Sequence, residues 1–520
     1  MEVNSQKQFG KIRSFLWPIY RSEYKKFIPM LIMFFLISFN YNLLRAVKDS
    51  FIVTANNSGA EAIPFIKVWL IVPSALLITF IFTRLSNRFS REKVFYIILS
   101  LFLGFFALFA LILYPARDIL HPQEFADYLQ TVLPSGFYGF IAILRNWTFA
   151  AFYVMAELWG VIVLTVLFWG FTNEVFSVKE AKRFYSLFAI GANASGIISG
   201  QSAITLSSNF FNPNLPFGKT AWDQSVVFLN GTIFLTGLAI IAIFRWYNKN
   251  IINTQKLDSQ KPKEPKIKMS LRKNFAYLAK SKYLLSIAII VFTYHFSINL
   301  VEVLWKNQMK QLYPNPSDYS VYMGQVMTWM GILATFIAIF ISGNLIRRFS
   351  WTFSALVSPL IMLFTGLAFF SFLLFENSFL GPVAAFLGST PLLLSVFFGS
   401  MQNCLSRACK YTLFDATKEL AFVPLGAECK LKGKAAIDGV GSRIGKSGGS
   451  FLYQGLLLTF GSLAASTPYI AIIFLAVIAI WMTSVFSLGK RFYNLTSQQE
   501  TLNIEEDKEV VSEAPAKQVT

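Results

Sequence analysis

Long apolar runs separated by short, mostly basic stretches set the pattern of this chain. A helix that crosses a bilayer needs roughly 20 mostly apolar residues. In the first half, runs of that kind cover about 27–44, 62–82, 94–114, 137–171, 184–206 and 225–244. In the second half they cover about 283–305, 321–343, 352–375, 379–409, 447–465 and 467–489. The stretch 137–171 is too long for one upright span and short for two, and Glu157 divides it. We read it as one long, tilted helix with a cytoplasmic extension. The expectation is an all-α polytopic membrane protein with about twelve transmembrane helices.

The polar stretches then set the organisation. Residues 1–26 read as a cytoplasmic amino-terminal segment, 27–244 as a first six-helix half and 245–282 as a basic cytoplasmic linker. Residues 283–490 read as a second six-helix half, and 491–520 as a disordered acidic cytoplasmic tail. Lys and Arg gather in alternate loops: Arg84, Arg88, Arg91 and Lys93 after the second run, Lys179, Lys182 and Arg183 after the fourth, and the linker itself. The loops between them are poorer in basic residues, with Arg117 set against Asp118, Glu124 and Asp127. By the positive-inside rule this places both termini in the cytoplasm.

The halves echo one another. Arg88-Phe89-Ser90 recurs as Arg348-Phe349-Ser350, Thr172-Asn173-Glu174 resembles Thr417-Lys418-Glu419, and Lys48 has a counterpart in Lys306. These offsets suggest two parallel six-helix repeats, a major-facilitator-like arrangement with its binding site between the halves.

Composition narrows the class further. Of the 520 residues 55% are hydrophobic and 14% charged, so the chain needs lipid around it. The net charge of +19 is divided among short loops, which argues against nucleic acid as the partner. Cys404, Cys409, Cys429, His121 and His295 have no metal-ligand spacing. No cleavable signal peptide precedes the first apolar run.

Charge within apolar segments carries the chemistry, because an ionisable group at helix centre costs about 2.5–3.5 kcal/mol. Lys48, Arg145, Glu157, Glu302, Arg407 and Lys410 lie in or beside the runs, and Lys446 opens the eleventh. Interhelix ion pairing is one reading. The other is a polar cavity for a polyanion, in which Lys48, Arg145 and Lys446 face the substrate and Glu157 and Glu302 balance them. Trp147, Tyr153, Trp159 and Trp305 stand near these charges, as packing or as stacking faces. His295 lies on the same helix face as Glu302, a placement that suits a packed histidine more often than a proton relay. The stretch 439–449 resembles a phosphate loop, but Val440 stands where that motif needs Gly and no strand precedes it. Close helix packing explains its glycines equally well.

Several longer runs resemble a known family. They include Phe15-Leu16-Trp17-Pro18-Ile19, Ser38-Phe39-Asn40-Tyr41 and Gly59-Ala60-Glu61-Ala62-Ile63-Pro64-Phe65-Ile66-Lys67. Further on come Arg145-Asn146-Trp147-Thr148, Glu157-Leu158-Trp159-Gly160, Glu180-Ala181-Lys182-Arg183-Phe184-Tyr185, Lys432-Gly433-Lys434-Ala435-Ala436-Ile437-Asp438 and Gly445-Lys446-Ser447-Gly448-Gly449. The chain is similar over about 10–490 to the ATP/ADP translocase-type nucleotide transporters of obligate intracellular bacteria and plastids. The resemblance implies a carrier, not an enzyme, in a bacterial inner membrane, with no cofactor. Its substrates would be nucleotides (ATP, ADP, GTP, UTP or CTP), imported by proton symport or by exchange. The family's four transport-linked charges fall on Lys48, Glu157, Glu302 and Lys446. Its ATP/ADP exchangers read Arg-Asp-Thr-Lys-Asp at the end of the first span, where this chain reads Arg45-Ala46-Val47-Lys48-Asp49. That loss of a carboxylate counts against strict ATP/ADP exchange without fixing base or counter-substrate. The reading is import of nucleoside triphosphates by proton symport or exchange, with strict ATP/ADP exchange as the alternative and a carrier for a non-nucleotide anionic metabolite as the remote one.

Overall fold

The computed structural model describes residues 18–207, 210–252, 281–342, 345, 348–376, 378, 380–425, 433–434, 437 and 442–512. Among them the regular structure is helical. The chain runs through α1 (Arg21–Val53), α2 (Ala62–Arg88), α3 (Arg91–Leu113), the short α4 (Gln123–Val132) and α5 (Tyr138–Arg145), and α6 (Trp147–Val175). Next come α7 (Val178–Leu206), α8 (Ala221–Ile252), α9 (Lys282–Leu312), α10 (Pro316–Ile341) and α11 (Trp351–Leu374). Then follow α12 (Leu380–Phe386), α13 (Pro391–Ala421), α14 (Ser442–Phe460) and α15 (Leu463–Ser497).

Nine of the described helices are long and apolar enough to cross a membrane, or ten if the bent pair α12–α13 counts as one span. This corrects the expectation of twelve spans in two six-helix halves. The shortfall has a compositional cause. α7 carries Gly191, Gly196, Gly200, Ser195, Ser199, Gln201 and Ser202, and α14 opens with Gly445, Gly448, Gly449, Ser447 and Ser450. Both are long helices, but too rich in small and polar residues to face lipid unaided. The α12–α13 pair bends by 84°. Gly388, at φ +65°, supplies the turn, and the Thr390 hydroxyl accepts from the Leu393 amide to start α13. The run 137–171 is also interrupted, at Asn146 (φ −112°, ψ 45°) and not at Glu157.

The Arg-Phe-Ser echo is a repeated cap. Ser90 starts α3 by accepting from the Lys93 amide, and Ser350 starts α11 by accepting from the Phe353 amide. At α7, Ser177 and Glu180 form a capping box, and Glu180 also meets Lys26 of α1 at 2.8 Å. Arg183 pairs with Glu23, and Phe184 lies 4.7 Å from Phe27. The 180–185 motif therefore fastens the start of α7 to the start of α1.

The chain forms two compact units. The first comprises Met1–Glu264, Val303–Thr335 and Tyr453–Ala465. In it α1 is central. Asn42 donates to Ser195 of α7, and Asn40 donates to the Ile233 carbonyl of α8 while accepting from Thr236. α7 and α10 meet backbone to backbone. A Cβ on Gly200 would lie 2.5 Å from the Gly324 carbonyl oxygen, and one on Gly324 would lie 2.7 Å from that of Gly200. Gly200→Val is expected to lower the melting temperature by several degrees, because backbone on the facing helix cannot yield; a detergent melting curve checks it. The outer face of α2 exposes Leu76, Leu77 and Phe80, side chains suited to lipid.

The second unit comprises Pro265–Glu302, Phe336–Leu452 and Ser466–Thr520. Tyr294 stacks on Phe414 at 4.4 Å, and Trp481 meets both rings edge-on. Gly445 and Gly449 of α14 fit against the Phe292 carbonyl and the Asn299 side chain of α9, and Asn299 donates to Ser450.

Candidate functional site

In the first unit the end of α1 delivers Lys48 and Asp49, adjacent in sequence and both buried. Lys48 Nζ lies 3.0 Å from Glu157 Oε1 and 3.2 Å from Asp49 Oδ1. It also sits 3.6 Å from the centre of the Tyr153 ring. Tyr153 and Glu157 are one helical turn apart on α6, so a single face offers the ammonium a π surface and a carboxylate. The other oxygen of Asp49, Oδ2, lies 2.8 Å from Lys306 Nζ of α9, and both side chains are 1% exposed. Two ammoniums thus face two carboxylates from three helices. One turn further along α9, Lys310 donates to the Ser58 carbonyl.

Local backbone explains how α6 aims Glu157. The helix widens into π turns over Trp159–Phe168, immediately beyond the carboxylate. Gly160 lies under the ring of Tyr41, where a Cβ would come within 2.6 Å of a ring carbon. Trp159 is buried and donates to the Ile37 carbonyl of α1, so its place is packing between the two helices.

Arg145, read as a possible cavity charge, is held by α4. Its guanidinium lies 2.6 Å from Asp127, 2.9 Å from the Gln123 amide oxygen and 3.1 Å from that of Gln130. A cavity of about 510 Å³ opens beside this anchor, lined among others by Glu61, Gln130, Tyr138, Asn307 and Ser462. Burial holds the Glu61 carboxyl above its ordinary value, against the opposing pull of Lys310. His121, in the same loop region, bonds Thr148 at 2.6 Å. Burial, aided by Arg117, lowers its pKa to about 4. The unfolded chain, with an ordinary histidine near 6.5, binds the extra proton first. Stability is therefore expected to fall as pH drops from about 6.5 towards 4, and His121→Gln to flatten that slope in melting curves taken across the range.

In the second unit Glu302 of α9 lies 3.3 Å from Arg407 of α13, and Lys410 lies 3.3 Å from Asp415. His295 bonds the Val291 carbonyl one turn back on its own helix at 2.8 Å. Gln402, one turn and more before Arg407, is buried, and its amide has no hydrogen-bond partner among the described residues. Lys446 lies on α14, but its side chain is outside the described residues, as are Gly439–Gly441. Residues 442–460 form one helix, so the glycines here serve helix packing.

Sequence reasoning thus selected Lys48 and Glu157, which the fold brings together. It noted Asp49 and Lys306 without assigning either to the site. The signal for both was present: each is an ionisable residue at the end of an apolar run.

Comparison with known proteins identifies the frame in which these charges act. Residues 2–492 match the model of the TLC ATP/ADP transporter family. The chain belongs to this family. ADP,ATP carrier protein 1 of Chlamydia muridarum is 51% identical over 504 residues, covering 96% of this chain and 94% of the carrier. A chloroplastic ADP,ATP carrier protein 1 of Arabidopsis thaliana is 42% identical over 476 residues, 92% of this chain and 75% of that protein. Among solved structures, a bacterial homologue of the iron transporter ferroportin matches at 15% identity with a TM-score of 0.52, over 92% of this chain and 100% of that one. A D-xylose–proton symporter matches at 11% identity and a TM-score of 0.52, over 89% and 97% of the two chains. These structural likenesses concern the helical fold alone. Membership of the TLC family makes the protein a multi-pass inner-membrane nucleotide transporter, not an enzyme.

Proposed function

We propose that the chain exchanges ATP for ADP across the inner membrane by alternating access, with both termini on the cytoplasmic side. The observation that carries this reading is Lys48, buried and balanced by Asp49 and Glu157 within a transporter fold. Phosphate oxygens form the same charge-assisted bonds to an ammonium as carboxylates do, so a nucleotide can replace Glu157 as the partner of Lys48. In this reading Lys48 and Lys446 contact phosphate, and Glu157 and Glu302 balance the cations between substrates. Relatives named as ADP,ATP carriers support exchange over proton-coupled import of triphosphates. Ala46 is compatible with it: Asp49, three residues on, already supplies a carboxylate to Lys48.

Uptake of labelled ATP into intact bacteria expressing the chain tests the proposal. Uptake is expected to survive a protonophore, and the label to be expelled by a chase of ADP or ATP far better than by GTP, UTP or CTP. Collapse with the protonophore and little release on chase would replace exchange with proton-driven import.

A further inference from the structure

Among the described ion pairs of the first unit, Asp49–Lys306 is the most deeply buried, and its partners come from different helices. We propose that the Asp49–Lys306 bridge makes transport an obligatory exchange: it keeps a carrier without nucleotide from reorienting. The proposal rests on the reading of the chain as an ATP/ADP exchanger.

The argument starts from burial. Asp49 and Lys306 are each 1% exposed, at 2.8 Å. Replacing such a pair by apolar groups is often neutral, whereas parting it costs a buried charge-assisted contact: Lys306 loses this carboxylate, while Asp49 keeps Lys48. The bridge joins the end of α1 to the 303–312 part of α9, so any movement that parts these segments breaks it. Asp49 is also shared. Oδ1 faces Lys48 and Oδ2 faces Lys306, which ties the lock to the lysine assigned to phosphate.

A polyphosphate changes the balance. It brings several anionic oxygens to Lys48, and those oxygens can also receive the ammonium of Lys306 as it leaves Asp49. Asp49 keeps Lys48, and Lys306 exchanges the Asp49 carboxylate for phosphate oxygens. The movement opposed in the nucleotide-free carrier becomes accessible with nucleotide bound, which is a shift of populations by differential interaction. The carrier then turns only when loaded.

The test uses the full chain in proteoliposomes filled with labelled ATP. Efflux is measured into buffer with ADP and into buffer without nucleotide. The wild type is expected to release label only into ADP. Asp49→Asn, which is isosteric, and Lys306→Met are expected to raise the release into nucleotide-free buffer at least tenfold. Lys306→Arg, which keeps charge and reach, is expected to restore dependence on ADP. Asp49→Asn decides the matter if Lys306→Met does not fold. Strict dependence on ADP in both variants would overturn the proposal. So would loss of release into both buffers by folded variants, which would place the pair in phosphate binding alone. A wild type that carries no ATP, or releases it freely without ADP, would instead sink the exchange reading before any variant is compared.

Discussion

Replacing Lys48 with Met is expected to reduce ATP/ADP exchange by about 100-fold or more, with the protein still inserted in the membrane. The substitution removes one of two cations from a cluster that also holds Asp49 and Glu157. With Lys306 the remaining cation of this cluster and Asp49 and Glu157 both kept, the proposed polyanion site becomes net negative. A charge-assisted hydrogen bond contributes about 1.5–3 kcal/mol, and the repulsion of phosphate by an uncompensated carboxylate adds to its loss. Lys48→Arg is a stricter comparison, because the planar guanidinium must fit over Tyr153, whose ring lies 3.6 Å from the ammonium. Glu157→Gln keeps the shape and removes the charge, and about a 10–100-fold loss is expected there. Labelled-nucleotide uptake, normalised to carrier in isolated membranes, reads all three. Rates within twofold of wild type for Lys48→Met would remove Lys48 from the transport site.

The second large effect is expected at Glu302 and Arg407, 3.3 Å apart and largely buried. Removing one member leaves the other charge without this counter-charge, a loss of about 3–5 kcal/mol when such a pair is buried. Arg407→Met alone is therefore expected to lower the melting temperature markedly. The double variant Glu302→Gln/Arg407→Met is expected to recover much of that temperature, since both charges have gone. Exchange should stay low in the double variant if Glu302 acts on transport as well as on folding. Recovery of both stability and exchange would make the pair purely structural.

Much of this was legible from local pattern. Apolar runs reported the helical membrane class, because burial in lipid leaves few other ways to satisfy the backbone. Charges within those runs drew attention to Lys48 and Glu157 for the same energetic reason. Four features were not legible. The apolar-run count included α7 and α14, whose small residues are suited to close helix contact, as at Gly200 and Gly445. The interruption at Asn146 carries no Pro or Gly. Arg145, beside it, is held by partners from α4. The pairing of Asp49 with Lys306 depends on how α1 meets α9, and no local periodicity encodes that.

The Gly200–Gly324 contact bears on how the carrier can move at all. Gly324 rests against Ala203 and Ile204 as well as the Gly200 carbonyl, and Gly331 against Ile197 and the Asn193 carbonyl. Sliding one helix along the other by a turn would drive branched side chains into backbone. α7 and the 316–335 part of α10 are therefore expected to move together. In the proposed alternating-access cycle, the hinge is expected at a seam where side chains, which can change rotamer, separate the helices.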